Sequence, residues 1–506
     1  MSTRVASGEL VAAPATVRPR LRGAGRVAAV AGILGIVGQL LYFGVAVGIN
    51  YPLSVGLALG AAWLLRPRGA RFDVIDAWLP AVAFALAGFV ALRGDPVLVF
   101  FDILASLGLA AGALAAIGGH QVTRRLLPGV LALIGSLAGW TVFGGARVAA
   151  DAAATARPSP RARGWLTAAG PYLRGALIAL PVVAVFAALF SSADAVFARL
   201  IGDLFGVQLD FGELPGRLAA TVVVAWIAAG ALAFVAEAPP RQDPAIGSRF
   251  RFLGTPETLI VLVAVDAVFA VFVVLQAAYL FGGLDTVAAF GLGYAEYARR
   301  GFFELLAVAA LAGGLVLATE AVVRHRSRAY VAAAIGLMVL TAVVLASAFL
   351  RLRLYQDAFG WTELRFYVLA SIGWLAIGIG IAIVCLADDR SRWLVHGLVL
   401  AAAIVGLTIN VIGPVRYVAE QNLARVTNPS LVPVGGETGI DASYIGSLGD
   451  DAVPLIVAAL SGLPEDAQVQ IEYALRERRF ELIVAETRAW QAWNLGREEA
   501  RAALGD

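Results

Sequence analysis

Long apolar runs recur along most of the chain, and short polar stretches that hold most of its arginines separate them. An α-helix rises about 1.5 Å per residue, so a run of roughly 20 apolar residues spans a hydrocarbon core roughly 30 Å thick. The pattern therefore predicts an all-α fold, a polytopic membrane helix bundle of about twelve spans. The predicted spans, in chain order, are 27–48, 51–65, 75–92, 97–118, 126–143, 173–190, 218–235, 258–281, 302–322, 330–350, 366–386 and 393–412.

Three regions follow from this pattern. They are a disordered basic N-terminus at 1–26, a polytopic membrane domain at 27–424, and a small helical, water-facing domain at 425–506, called the tail below. The first apolar run is longer than the hydrophobic region of a cleaved signal peptide, which has about 7 to 15 residues. We therefore expect it to remain as the first span.

Composition agrees with a membrane protein, because 60% of the residues are hydrophobic and only 15% are charged, against about 25% charged in globular domains. All 39 basic residues are arginine, which together with abundant alanine and glycine suggests a bacterial gene. The net charge of +3 is small, and the arginines lie at span ends instead of forming a stripe. Nucleic acid is therefore not an expected partner, whereas the lipid bilayer is.

The arginines also predict orientation, because basic residues are retained on the cytoplasmic side of a membrane. The second half of the chain then alternates consistently, with the tail outside. In the first half, Arg124 and Arg125 lie before span 126–143 and the arginines of 147–163 lie after it. Either that segment is re-entrant or one loop breaks the rule. We expect a bacterial inner membrane protein with a cytoplasmic N-terminus and an extracytoplasmic tail.

The tail is charged and contains two predicted helices. Asp450 or Asp451 can cap the first, with Pro454 in its first turn, and Pro464 opens the second. Two short helices have too little core to stand alone. We expect the tail to pack on the polar surface of the membrane domain, and it is also the region where a protein partner is expected.

The most suggestive polar residue is Asp266, near the middle of an apolar run. A carboxylate there costs roughly 2.5–3.5 kcal/mol on insertion scales, so Asp266 should face the bundle interior with a partner or be protonated. It is either a proton or cation site or a buried helix-to-helix hydrogen bond, and the sequence favours neither. Gln276, ten residues on, lies on nearly the same helix face.

Mixed-charge patches are predicted on one side of the membrane. Glu296, Arg300 and Glu304 follow one another at i, i+4 and form a ladder of alternating sign where a helix enters the membrane. The ladder is either structural or the mouth of a polar pathway, with Glu304 as a binding carboxylate. The other candidate residues on this side are Asp357, Glu363, Arg365 and Arg416.

Common catalytic motifs are absent from the sequence. There is no GxxxxGK[ST], HExxH or GxSxG motif, and His120, His325 and His396 lack metal-ligand spacing. ATP-driven and zinc-dependent chemistry are not predicted, and no cofactor or metal is expected.

Several stretches together resemble a known group. They are SADAVFA at 192–198, QAAYLFGG at 276–283, GYAEYARRGFFEL at 293–305, YQDAFGWTELR at 355–365, NVIGPVR at 410–416 and DASYIGSLGDDAVP at 441–454. The chain is similar, over about 173–503, to the bacterial multi-pass membrane proteins known only as the domain-of-unknown-function 4153/4173 group. The resemblance implies an integral membrane protein of unassigned activity, so it assigns no catalytic or ligand residue.

Two functions compete. One is a non-enzymatic envelope sensor or scaffold whose tail meets a partner. The other is a secondary transporter or channel that uses Asp266, Gln276 and Glu304. Transporters often contain internal repeats, and the absence of a convincing repeat here favours the sensor or scaffold. An embedded transferase is a distant third, since it would need paired carboxylates or a metal site at the interface, and Asp357 with Glu363 is the only thin candidate.

Overall fold

The fold is that of a helix bundle, as the sequence predicts. A computed structural model describes residues 20–155, 214–237, 251–281, 302–433, 439–484 and 489–505, together with 183 and 436. In this part of the chain the only β pairing is one isolated bridge, between Leu253 and Val323. The helices are α1 Ala24–Tyr42, α2 Asn50–Leu65, α3 Trp78–Leu92, α4 Pro96–Ile117, α5 Leu127–Thr155, α6 Leu214–Ala236, α7 Thr255–Phe281, α8 Phe302–Val322, α9 Arg328–Phe359, α10 Glu363–Ala387, α11 Leu394–Ile412, α12 Pro414–Thr427, α13 Ala442–Ser447, α14 Val453–Ala459, α15 Glu465–Val484 and α16 Leu495–Leu504.

The predicted spans correspond closely to these helices. Among the described residues, 10 helices are long and apolar enough to cross a membrane, and each contains most of one predicted span. The predicted span 51–65 forms α2, a shorter apolar helix of 16 residues. The predicted span 173–190 lies almost entirely outside the described residues.

The helix ends lie on two opposite faces of the bundle. One is the N-terminal face, where Leu21 packs with Ile117 at the end of α4. The other is the tail face, where Ile49 N, before α2, donates to Trp493 O of the tail at 2.9 Å. The turns before α3, α9 and α11 lie on the N-terminal face, and those before α2, α4, α10 and α12 lie on the tail face.

Both ends of α5 contact the N-terminal face. Before its start, Arg124 lies over the ring of Trp393, in the turn before α11, at 4.8 Å. Near its end, Asp151 Oδ2 accepts a hydrogen bond from Leu21 N at 3.0 Å. The helix has 29 residues, about 43 Å of length, and both of its ends lie near this face. Arg124, before the predicted span 126–143, and Arg147, which pairs with Asp151 at 3.8 Å after it, therefore lie near the same face. The other arginines of 147–163 lie outside the described residues.

The tail packs on the tail face and shares its core with the ends of the membrane helices. Ile445, Ile456 and Ile471 of the tail are buried in one cluster with Val418 of α12 and Phe366 of α10. This agrees with the expectation that the tail lacks a core large enough to stand alone.

One detail of the tail differs from the sequence prediction. The helices α14 and α15 form where they are predicted, but neither Asp450 nor Asp451 caps α14 with its side chain. The capping prediction is wrong because Asp451 binds a backbone N–H of the membrane domain instead. Local sequence could not indicate so distant a partner.

Candidate functional site

The turn between α3 and α4, on the tail face, is the centre of the candidate site. Asp95 caps α4, since its Oδ1 accepts a hydrogen bond from Val97 N at 2.9 Å, and Pro96 lies in the first helical turn. A capping aspartate followed by proline is a strong start signal, because proline has no N–H that needs a partner there. Gly94-Asp95-Pro96 therefore forms a sharp reversal between two membrane helices.

Two side chains of the tail hold this turn, and we call these contacts the junction. Asp451 Oδ1 accepts a hydrogen bond from Gly94 N at 2.7 Å. Asn494 Nδ2 donates to Val90 O at 3.0 Å and to Arg93 O at 2.8 Å. These are carbonyls that the end of α3 leaves without an intrahelical partner. The amide oxygen of Asn494 also caps α16, so this one side chain joins a tail helix to a membrane helix.

Glycines allow the tail to approach so closely. A Cβ on Gly496 would overlap Asp451 Oδ1 and would lie 2.6 Å from Gly94 N. A Cβ on Gly48 would lie 2.5 Å from the carbonyl carbon of Ala492. Such distances are shorter than van der Waals contact, so any side chain at these glycines would push the tail away.

A buried polar network continues from the turn into the bundle. The hydroxyl of Tyr367, on α10, donates to Asp95 Oδ2 at 3.1 Å. Within the bundle, Asn410 Nδ2 of α11 donates to Asp102 Oδ1 of α4 at 2.6 Å. The guanidinium of Arg93 donates to the backbone carbonyl of Asn410. Asp95, Asp102 and Asn410 are 1%, 3% and 0% exposed, so the network links the turn to α4, α10 and α11 out of contact with water.

This network borders a cavity inside the bundle. Tyr367 and Asp102 lie in the wall of a cavity of about 800 Å³ between α3, α4, α5, α10 and α11. The rest of the wall is mainly apolar. The tail, the turn and the cavity therefore form one continuous set of contacts.

Burial dominates the electrostatics of the junction. It raises the pKa of the Asp95 and Asp450 carboxyl groups, and it raises the pKa of Asp451 to about 6. The hydrogen bond from Gly94 N and the charge of Arg93 lower the pKa of Asp451, but by less than burial raises it. The junction therefore holds protons at a mildly acidic pH at which free aspartates would have lost them.

Two of the predicted residues lie elsewhere in the bundle, on α7. A Cβ on Gly336 of α9 would lie 3.7 Å from Asp266 Oδ2, so Asp266 faces α9. Its Oδ1 is buried and has no hydrogen-bond partner among the described residues. Gln276 is 6% exposed, and its Oε1 accepts hydrogen bonds from Ser347 at 3.4 Å and Arg351 at 3.2 Å, both on α9. The two residues face the same helix, as their spacing predicts.

Three other predicted residues lie near the tail. The backbone N of Glu363 donates to the hydroxyl of Tyr444 in the tail at 2.8 Å. Arg365 donates to two backbone carbonyls at and just after the end of α9. Asp357 is exposed and pairs with Arg353 at 3.5 Å. These contacts position the 355–365 loop under the tail, and the junction uses none of them.

The remaining predicted residues add little to a site. Glu304 and Arg416 are exposed near the starts of α8 and α12. Glu296 and Arg300 lie outside the described residues. The ion-pair ladder therefore stays a prediction.

Sequence reasoning missed Asp102, Asn410 and the turn at Gly94. A signal for Asp102 existed, because this carboxylate lies within the apolar run 97–118 and carries the same type of cost in lipid as Asp266. Its partner could not be read from the sequence, since 308 residues separate the two. In the sequence the Gly94 turn resembles an ordinary connection between helices, because the tail residues that bind it are distant in the chain.

Within the described ranges, no group of three or more His, Cys, Asp or Glu side chains is placed to hold a metal ion.

The model of a protein family described as a domain of unknown function (DUF4153) matches residues 81–459 of the 506-residue chain. The matched part contains the Gly94 turn, Asp102, Asp266 and Asn410. No curated protein and no solved structure matches the chain.

Proposed function

The chain belongs to the DUF4153 family, a domain of unknown function, and on that premise we propose that it is a non-enzymatic sensor or scaffold of the cell envelope. In this proposal the membrane bundle receives a signal, and the docked tail presents the response to a protein partner. One observation carries the proposal. The tail holds the same turn whose capping aspartate binds a side chain in the wall of the intramembrane cavity.

The coupling follows from two neighbouring residues, Gly94 and Asp95. Gly94 is bound by Asp451 of the tail, and the next residue, Asp95, is bound by Tyr367 of α10. A ligand that moves α4 or α10 at the cavity would therefore displace the turn and change the contact with the tail. Such a ligand must bind one arrangement of the turn more tightly than the other, because only differential affinity shifts an equilibrium.

The proposed location is the inner membrane of a bacterium, with the N-terminus in the cytoplasm and the tail outside. The distribution of arginine supports this orientation, because basic residues are retained on the cytoplasmic side. Arginine-rich stretches at 20–26, 66–71, 124–125, 324–328 and 390–392 all lie at turns of the N-terminal face.

The coupling can be tested at Gly496, where an added methyl group must push the tail from the turn. The full-length Gly496→Ala variant would be compared with the parent in lipid nanodiscs by hydrogen exchange and mass spectrometry. We expect faster exchange in 489–505 and also in the α10 peptide that contains Tyr367. The matched control is Gly462→Ala, because a Cβ on Gly462 meets nothing within 4 Å, and it should leave both regions unchanged.

A second variant covers the case in which Gly496→Ala disturbs folding. Asp451→Ala removes the acceptor of the hydrogen bond from Gly94 N, so it should give the same pattern with smaller changes. Faster exchange confined to the tail in both variants, with α10 unchanged, would contradict the proposal, because the tail and the cavity would then be uncoupled.

A secondary transporter or channel is the second candidate, and Asp266 is the observation that favours it. A buried carboxyl oxygen without a partner among the described residues is costly in lipid, and such groups often mark proton or ion paths. In proteoliposomes, Asp266→Asn should abolish proton flux measured with a pH-sensitive dye while the amount of folded protein stays normal. Exposed Asp357→Asn is the control. Equal flux in the two variants would contradict this candidate.

A further inference from the structure

The intramembrane cavity is long and narrow. Its wall extends along α4 from Leu98 to Gly112 and along α11 from Val395 to Ile409, which is about 21 Å of helix in each case. This is more than half of a hydrocarbon core roughly 30 Å thick. The shape suits an extended chain better than a compact solute.

The wall is apolar along most of this length. Helix α5 contributes one face of aliphatic side chains at helical spacing, and these are Leu127, Val130, Leu133, Ile134 and Leu137. Ile134 of α5 and Phe101 of α4, both in the wall, are 57% and 52% exposed. In a bilayer such surface is covered by hydrocarbon, so an acyl or isoprenoid chain is the natural occupant.

Unsatisfied hydrogen-bond acceptors mark the end of the cavity nearest the tail. Asn410 Nδ2 donates to Asp102 Oδ1 and, at 3.1 Å, to Gly406 O, which fixes the orientation of the amide. The remaining oxygens, Asp102 Oδ2 and Asn410 Oδ1, are buried and have no donor among the described residues. Of these two residues only Asp102 lies in the cavity wall. A buried acceptor without a donor is costly, and a ligand that brings an N–H or O–H group would satisfy Asp102 Oδ2.

The opposite end of the cavity is less suited to a polar head group. Its charged residue is Arg125, whose guanidinium already donates to the backbone carbonyls of Gln121 and Gly129. Among the described residues of the wall, Asp102 is the only acidic one. The charge and the free acceptor Oδ2 of Asp102 therefore favour a neutral or cationic donor at Asp102 over an anionic head group at Arg125.

We propose that this cavity binds one long-chain amphiphile from the bilayer, with its acyl or isoprenoid chain along the cavity and a hydroxyl or amine head group that donates to Asp102. Its role as the signal rests on the proposed sensor function. Its binding does not, and can be measured separately.

Three photoactivatable probes with the same chain and different head groups test the proposal: a long-chain alcohol, a long-chain amine and a long-chain carboxylic acid. Each would be added to the full-length protein in nanodiscs, and labelled peptides would be identified by mass spectrometry. We expect the alcohol and the amine to label α4 and α11, and the acid to label them about tenfold less. Asp102→Asn should reduce labelling by the amine more than labelling by the alcohol, because it removes the negative charge and keeps an acceptor.

Glycines in the wall allow the cavity to be filled without disturbing the backbone. Gly108 on α4 and Gly406 on α11 line the cavity, and a Cβ on either meets nothing within 4 Å. Gly108→Leu and Gly406→Leu should each reduce alcohol and amine labelling about tenfold. Gly380→Leu is the matched control, since Gly380 on α10 is exposed, meets nothing within 4 Å and lies outside the wall.

Equal labelling by all three probes, unchanged by Gly108→Leu, would overturn the proposal, because the probes would then report only bulk lipid. Preferential labelling by the acid near Arg125 would also overturn it in favour of an anionic lipid. Loss of labelling in the filled variants with no change in hydrogen exchange of the tail would support the ligand site and contradict the sensor function. The two proposals can therefore fail independently.

Discussion

Asp102 and Asp266 are carboxylates within membrane helices of the bundle, and their surroundings differ. Asp102 is 3% exposed, binds Asn410 and lies near a turn held by the tail. Asp266 is partly buried against α9, and its Oδ1 has no partner among the described residues. Both groups are costly in lipid. The difference shows that depth in the membrane does not by itself define the role of a carboxylate. Its hydrogen-bond partners decide whether the free-energy cost of placing it there is offset.

The largest expected effect concerns the partner of Asp102. Asn410→Ala should lower the free energy of unfolding by about 2–3 kcal/mol, because it leaves a buried carboxyl group without its donor. Denaturant titration of the purified protein in detergent measures this. Thr408→Ala is the control on the same helix, since its exposed hydroxyl donates only to Ile404 O, and it should change stability by less than about 0.5 kcal/mol. Equal losses in the two variants would remove the distinction between the two carboxylates.

The second prediction is that replacing the other carboxylate, Asp266, raises the free energy of unfolding instead of lowering it. Asp266→Leu should stabilise the protein by about 1–2 kcal/mol, because it removes from the membrane interior a carboxyl group whose Oδ1 has no partner among the described residues. The same titration measures the change. A loss of more than about 1 kcal/mol would instead show that Asp266 makes a stabilising contact, and the two regions would then be alike.

Much of the fold could be predicted from the sequence, because span length depends on a local property. Ten of the predicted spans match apolar helices, and the position of the tail beside the 355–365 loop follows from counting crossings. The path of α5 was harder to predict from the sequence. Its arginines conflict with a single crossing, and only contacts such as that between Arg124 and Trp393 place both of its ends on one face.

The candidate site was less predictable than the fold. Asp266 stands out because it lies in the middle of its run, whereas Asp102 lies near the start of one and is easily taken for a boundary residue. The junction depends on Asn494, which binds Val90 O and Arg93 O some 400 residues earlier in the chain. Spacing and periodicity describe only near neighbours, so such a pair appears only when the chain is folded.

A third prediction concerns the tail end of this junction. Asn494→Ala should weaken docking by about 1–1.5 kcal/mol, because it removes the cap of α16 and the donor to the end of α3 together. Hydrogen exchange in 489–505 should accelerate by about tenfold. Asn428→Ala is the control, since Asn428 is exposed and its side chain accepts only from Ser430. Unchanged exchange in Asn494→Ala would mean that the tail is held mainly by its apolar core.

The smallest expected effect is a dependence of docking on pH. Burial raises the pKa of Asp451 to about 6 in the docked tail, from 3.8 for a free aspartate. The docked state therefore binds the proton more tightly, and the stabilisation is complete below about pH 3.8, declines as pH rises, and is lost above about pH 6. Between pH 7 and pH 5 docking should strengthen by about 1 kcal/mol, seen as slower intrinsic-rate-corrected exchange in 489–505. Asp451→Asn should reduce this dependence but not abolish it, because burial raises the pKa of Asp95 and Asp450 in the same direction. Docking that weakens on acidification would contradict the prediction, since it would mean that the junction needs its carboxylates ionised.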